Sequence, residues 1–252
     1  MNIVTRARYL LLLVLISASA RSTALGASLD WSRVTPIPGS AQDRLPLQLL
    51  VPGRYAADEL PPQVEGQWYA LARSGGVWSI KSIALRVREV KNERATGDTS
   101  VPGALLEPDT PDSITLLIRG AGWSRTGTAS SLLEGPARLS PGDTLALYGP
   151  GADRWEIVAS QPSPTRYKDV WMYQVVVRDR TFGRSQTLGG WMKGFSPEIQ
   201  WVGDIDGDSR IDILLFDDTN ESGSRRWELY LSRGVKGDSL LEAVARLGLP
   251  GC

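Results

Sequence analysis

Residues 203–218, GDIDGDSRIDILLFDD, carry six aspartates in sixteen positions beside a run of Ile, Leu and Phe. Few folds accept both halves of that stretch. The apolar run IDILLF reads as a strand that offers its side chains to a core. The carboxylates ahead of it cannot enter a core unless something offsets their charge. A tight acidic loop that hands the chain on to a strand satisfies both demands, and Gly207 lets the backbone turn inside it.

Counted from Asp204, the residues Asp204, Asp206, Asp208 and Asp212 stand at positions 1, 3, 5 and 9. Arg210 stands at position 7, where a backbone carbonyl can ligate whatever the side chain is. Aspartates at alternate positions of a tight loop converge on one point. Two carboxylates about 6 Å apart repel by roughly 3 kcal/mol at an effective dielectric near 20, so four must spread, protonate or bind a cation. Calcium takes about six to eight hard oxygens in a flexible shell, which suits this set. Magnesium wants stricter octahedral geometry and keeps its waters. The competing reading is a solvated acidic turn. Ca2+ is the expected cofactor.

The segment WVGDIDGDSRIDILLFD resembles the calcium loop of FG-GAP and VCBS-type repeats, in which Asp/Asn residues alternate ahead of a hydrophobic strand. The resemblance implies a loop between two antiparallel strands. It implies side-chain ligation by Asp204, Asp206, Asp208 and Asp212 and carbonyl ligation by Arg210. Three departures limit the transfer. Ser209 stands where the family usually has Gly, at a position that often takes positive φ. Leu215 stands where an EF-hand loop has its bidentate Glu. The motif also occurs once, and one loop does not make a propeller. A modest affinity, about 0.1–1 mM as in extracellular modules, is therefore expected. The rest of the chain resembles exported bacterial proteins with one such loop near the C-terminus.

Elsewhere the chain reads as mainly β, with antiparallel strands and hairpins in one or two domains. The 26 Gly, 16 Pro and nine Trp suit many short strands joined by turns. Residues 21–65 are an extended entry segment. Residues 66–150 form an N-terminal β region that opens with a hairpin turning at Gly75-Gly76. Residues 151–252 form a C-terminal β region with the acidic loop at 203–212. GPGAD (149–153) is either a boundary or an ordinary turn. SLLEAVARLG (239–248) is compatible with a short helix capped by Asp238 and ended by Gly248, or with a last strand.

Two absences restrict the chemistry. The chain has no His, which excludes Ser-His and Cys-His catalysis. The GDSL string at 237–240 and GWSRTG at 122–127 therefore carry no esterase reading. The single Cys, Cys252, leaves no intrachain disulfide. A His-free hydrolase would need paired carboxylates, and Glu156, Asp169 and Glu198 are candidates that no spacing groups together. A carbohydrate-binding module would use loop tryptophans, for which Trp31, Trp123 and Trp191 are candidates. With 28 basic and 28 acidic side chains, no bulk attraction to nucleic acid is expected. A polysaccharide or a cell-envelope protein is the kind of partner an exported chain would meet.

Arg6 and Arg8 precede YLLLLVLISASA, an apolar stretch of about ten residues ending in an Ala-x-Ala site. The run is short for a membrane span, which needs about 20 residues. A signal peptide over 1–20 is expected, with cleavage after Ala20 and a periplasmic or extracellular product that is not membrane-embedded. Mass spectrometry of the protein from its native host should find a mature N-terminus near Arg21. Recovery of Met1 in a membrane fraction would overturn this reading.

Overall fold

The apolar run after the aspartates dictates the layering. In the computed structural model, β16 (Asp212–Asp217) carries Ile213, Leu214 and Leu215 in succession, all fully buried. Successive side chains on a strand point to opposite faces, so a strand buried at consecutive positions has no solvent face. It belongs in a middle layer. β15 (Glu198–Asp204), β16, β17 (Arg225–Leu231) and β18 (Glu242–Leu249) form an antiparallel sheet in the order β18-β17-β16-β15. Trp201, Leu214, Leu229 and Leu247 join one core, and Val202, Ile213, Leu215 and Tyr230 join another. A register shift between Ile199 and Trp201 places Ile199 and Val202 in the same core, although they are three residues apart.

The structure describes residues 45–56, 59–61, 63–90, 103–120, 123–149, 154–161, 163–164, 171–218, 224–232, 235 and 237–249. The expected signal peptide, Trp31, Asp169 and Cys252 lie outside them. All described residues belong to one unit spanning Arg33–Cys252.

Two further sheets flank the middle one. The first contains β1 (Leu47–Leu50), β2 (Arg54–Ala56), β3 (Gly66–Ser74), β4 (Val77–Val90), β5 (Gly103–Pro108) and β6 (Ser113–Gly120), in the order β1-β6-β3-β4-β5-β2. A short β7 (Gly127–Thr128) pairs with β4. The β3–β4 turn is at Gly75-Gly76, as its sequence predicts. Their φ values of +55° and +86° are both positive, which a two-residue type I′ hairpin requires. Trp68 is fully buried in this core, and its indole N–H donates to the Val64 carbonyl at 2.7 Å.

β8 (Ser130–Ser131) and β9 (Ala137–Arg138) both pair with β15 in the middle sheet. The third sheet contains β10 (Thr144–Tyr148), β11 (Arg154–Ala159), β12 (Ser163–Pro164), β13 (Trp171–Asp179) and β14 (Arg184–Met192). β10 and β11, on either side of the Gly/Pro-rich segment at 150–153, are antiparallel neighbours. Every strand pair in the described residues is antiparallel.

The structure decides between helix and strand at the C-terminal end. The segment 239–248 is not a helix, because Glu242–Leu249 forms β18 along β17. Ala245, Leu247 and Leu249 recur at the strand period and are buried in the core of the first sheet. Helix propensity in EAVARL is worth tenths of a kcal/mol per residue, and the open edge of β17 outweighs it. No described helix is long and apolar enough to cross a membrane.

The side of the middle sheet that carries Tyr230 also holds a charged line. Glu228, only 4% exposed, pairs with Arg246 and accepts the Tyr230 hydroxyl at 2.9 Å. Arg226 reaches Asp217 at 3.1 Å. Burial first, and then the Glu228 charge, hold the Tyr230 phenol well above its ordinary range.

Gly203, at the end of β15, tests the packing. A Cβ there would lie 1.8 Å from the Ser130 carbonyl oxygen and 2.6 Å from the Trp201 ring. Gly203→Ala should cost about 1–3 kcal/mol, because the β8–β15 pairing must open. Gly248→Ala, whose Cβ meets nothing within 4 Å, should change stability by less than about 0.5 kcal/mol. Urea midpoints at unchanged slope would report both.

Candidate metal centre

The strands set the loop. β15 ends at Asp204 and β16 begins at Asp212, with Gly203 and Asp212 directly opposite. Asp204, Asp206 and Asp208 each offer a carboxylate oxygen, and the three lie within 4.8 Å of one another. Sequence spacing alone expects this convergence, and the local hydrogen bonds explain it. Asp204 accepts the backbone N–H of Gly207 on Oδ1 and of Ser209 on Oδ2. Asp206 Oδ1 accepts from Asp208 N–H at 3.2 Å, and Asp208 Oδ1 from Arg210 N–H at 2.8 Å. Each aspartate folds the backbone two to five residues ahead of it back on itself, as short acidic side chains do in turns.

Asp212 stands behind these three rather than among them. It is fully buried, and its two oxygens tie adjacent strands together. Oδ2 accepts the Ile205 N–H at 2.8 Å, and Oδ1 accepts the Ser232 N–H at 3.0 Å. The Ser232 hydroxyl lies 2.8 Å from Asp208 Oδ2 and 3.4 Å from Asp212 Oδ1, so its single proton goes to Asp208. Burial, then the Asp206 charge, push the Asp212 carboxyl well above the ordinary aspartate value. The two backbone N–H groups pull the other way and are outweighed. Each oxygen of Asp212 keeps a lone pair beyond those bonds, so bracing the strands does not exhaust it as a ligand. The Arg210 side chain is exposed.

Sequence reasoning missed Arg125. Its guanidinium crosses from the segment before β7 to lie 3.2 Å from Asp204 Oδ1 and 3.3 Å from the Asp204 carbonyl oxygen. It also donates to the Thr128 carbonyl at 3.1 Å. Gly207 accommodates it, since a Cβ there would sit 2.9 Å from Arg125 Cζ. Arg125 and Asp204 are separated by 79 residues, and no local pattern connects them. Ser232, 24 residues beyond Asp208, was missed for the same reason. A cavity of about 90 Å³ adjoins the loop, lined by Ser130, Trp155, Asp204, Ser209 and Arg210 among others.

The other candidate residues do not assemble. Glu156 lies on β11 and pairs with Arg178 and Arg180, whereas Glu198 lies on β15 and pairs with Arg138. The two carboxylates are on different sheets and each faces arginine. Trp191 is not a loop residue: it lies in β14 and is 5% exposed, within the core of the third sheet. Trp123 is partly buried against the other core. Both rings supply apolar area to the interior, as large aromatics generally do.

Compared with models of protein families, with curated proteins and with solved structures, the chain matches none.

Ser209 has φ of +65°, one of two non-Gly residues at positive φ among the described residues. An L side chain there costs about 1 kcal/mol relative to Gly. Ser209→Gly should raise stability by about that amount with calcium or chelator alike, because the strain belongs to the backbone in both states. Paired thermal melts check it, and a gain seen only with calcium would refute it.

Proposed function

We propose that the chain is an exported, non-enzymatic binding or structural protein whose loop at 204–212 holds a structural Ca2+. The observation that carries this reading is the convergence of Asp204, Asp206 and Asp208 on one point. The donor set is all hard oxygen, as calcium requires. Asp212 and the Arg210 carbonyl complete the proposed ligand set. The likeness to FG-GAP and VCBS-type loops supports the same assignment, and so does the positive φ at Ser209, where those loops usually have Gly.

Such an ion would act as a staple. β15, β16 and β17 meet at the loop through Asp212, Ile205 and Ser232. A divalent charge there would offset the repulsion among the carboxylates and hold the three strand ends together. Arg125 already neutralises part of Asp204. A divalent ion would answer the mutual repulsion of the loop's carboxylates. Calcium suits this set better than magnesium because a flexible shell of carboxylates and a backbone carbonyl does not impose a strict octahedron.

A ligand that binds only the folded state stabilises it by RT ln(1 + [L]/Kd), so calcium at about 100 times Kd should add roughly 2.7 kcal/mol. Melting temperature should rise with calcium and fall with chelator. Asp206→Ala should remove most of that response, and Arg210→Ala should preserve it. A melting curve indifferent to chelator would favour the solvated acidic turn instead.

A further inference from the structure

The outward face of the third sheet carries a depression of about 360 Å³ at the end where β10 finishes and β11 begins. Its walls follow from strand register. Tyr148 pairs with Arg154, and Ala146 pairs with Glu156, so these four side chains alternate onto one face. Ala146 is small and leaves a dip between its larger neighbours. Leu147 and Ile157 point the other way, into the core. Arg180 closes the depression from the turn after β13.

The rim is unusual for a surface that serves only solubility. Tyr148 is 71% exposed, one of three large hydrophobic residues left open among the described residues. Arg180 Nε lies 3.3 Å from Glu156 Oε1, and Arg178 lies 3.9 Å from Oε2. Glu156 is thus charge-compensated, yet its side chain stays 25% exposed and can still accept hydrogen bonds. Arg154 is exposed, and its guanidinium has no ion-pair partner among the described residues. Its backbone is firmly held. Arg154 N–H donates to Thr181 Oγ1 at 3.1 Å, and its carbonyl accepts Arg180 N–H at 2.8 Å. Buried Asp179 in turn anchors the turn through the N–H groups of Thr181 and Phe182 and the Arg184 guanidinium. The polar groups therefore stand on rigid elements, as a preformed site needs.

We propose that this depression binds an acidic saccharide, a sugar ring bearing one carboxylate or sulfate. Each part of such a ligand has a counterpart. The electron-rich face of Tyr148 takes the C–H face of the ring, whose hydrogens carry slight positive charge. The planar fork of Arg154 takes the single anionic group in bidentate fashion. Glu156 accepts from ring hydroxyls, and Arg180 donates to them. A polyphosphate fits worse, because its second charge would meet Glu156. The volume falls in the range of about 300–1,000 Å³ usual for small-ligand sites. This assignment rests on the binding role proposed above but not on the calcium loop.

Calorimetry on the full chain with a trisaccharide carrying one uronic acid, its methyl ester and inorganic triphosphate tests it, each with calcium and with chelator. The acid form should bind at least tenfold more tightly than the ester or triphosphate. Arg154→Gln should abolish that preference and leave the ester unaffected, and Tyr148→Ala should weaken both saccharides. Both residues are exposed, so melting temperatures should match wild type and confirm folding. Failure of the wild-type chain to bind either saccharide overturns the proposal. So does stronger binding of triphosphate, or saccharide binding that neither variant changes. The calcium-dependent melt is read separately, so loss of either reading leaves the other standing.

Discussion

Burial of both faces of β16 is the constraint on which everything else rests. Ile213, Leu214 and Leu215 are each worth roughly 1.5–3 kcal/mol when removed from water, and they point alternately to opposite sides. No two-layer arrangement could bury all three. The sheets on either side exist to cover this strand and its neighbours, and their own alternation is correspondingly one-sided. β11 shows it, with Trp155, Ile157 and Ala159 buried and the residues between them more open. The acidic loop follows from the same constraint, because it leads into β16 at Asp212, where the buried strand begins.

A three-layer arrangement leaves polar groups stranded between sheets, and the chain answers with pairing rather than exclusion. Glu228, Arg246, Arg226 and Asp217 bridge three adjacent strands in succession. Replacing such a set with hydrophobic residues is often neutral or stabilising, so its value here is register. Glu228 directly opposes Arg246, and Asp217 directly opposes Arg226. A slip of β17 by one residue would turn Arg226 and Glu228 toward the core that holds Trp201, Leu214 and Leu229.

Much of this was legible in the sequence, for reasons that can be named. The hairpin at Gly75-Gly76 and the loop at 204–212 are both local, and their turn residues act over a few positions. The strand β16 was legible as a strand because four apolar residues in a row need a core. Its place in the middle layer was not read, since that depends on which sheets are available to cover it. β18 was left open between helix and strand because its residues have the propensity of a helix, while its pairing partner lies some twenty residues away. Trp191, expected in a loop, lies in β14 instead, where Gly189 gives its ring room, since a Cβ there would lie 2.8 Å from the ring. Arg125 left no trace at all, because its partner is distant in sequence and arginine is common on surfaces.

The crossing of Arg125 to Asp204, together with the pairing of β8 to β15, bears on how the chain folds. Both join segments more than seventy residues apart. Loops of that length close slowly, and sheets rich in such pairings fold in milliseconds to seconds rather than microseconds. The Arg125 clamp on the acidic loop would therefore close late, whereas the loop's own hydrogen bonds are local. An ion held beside that clamp would act on the reverse step, holding the finished structure closed and slowing its opening.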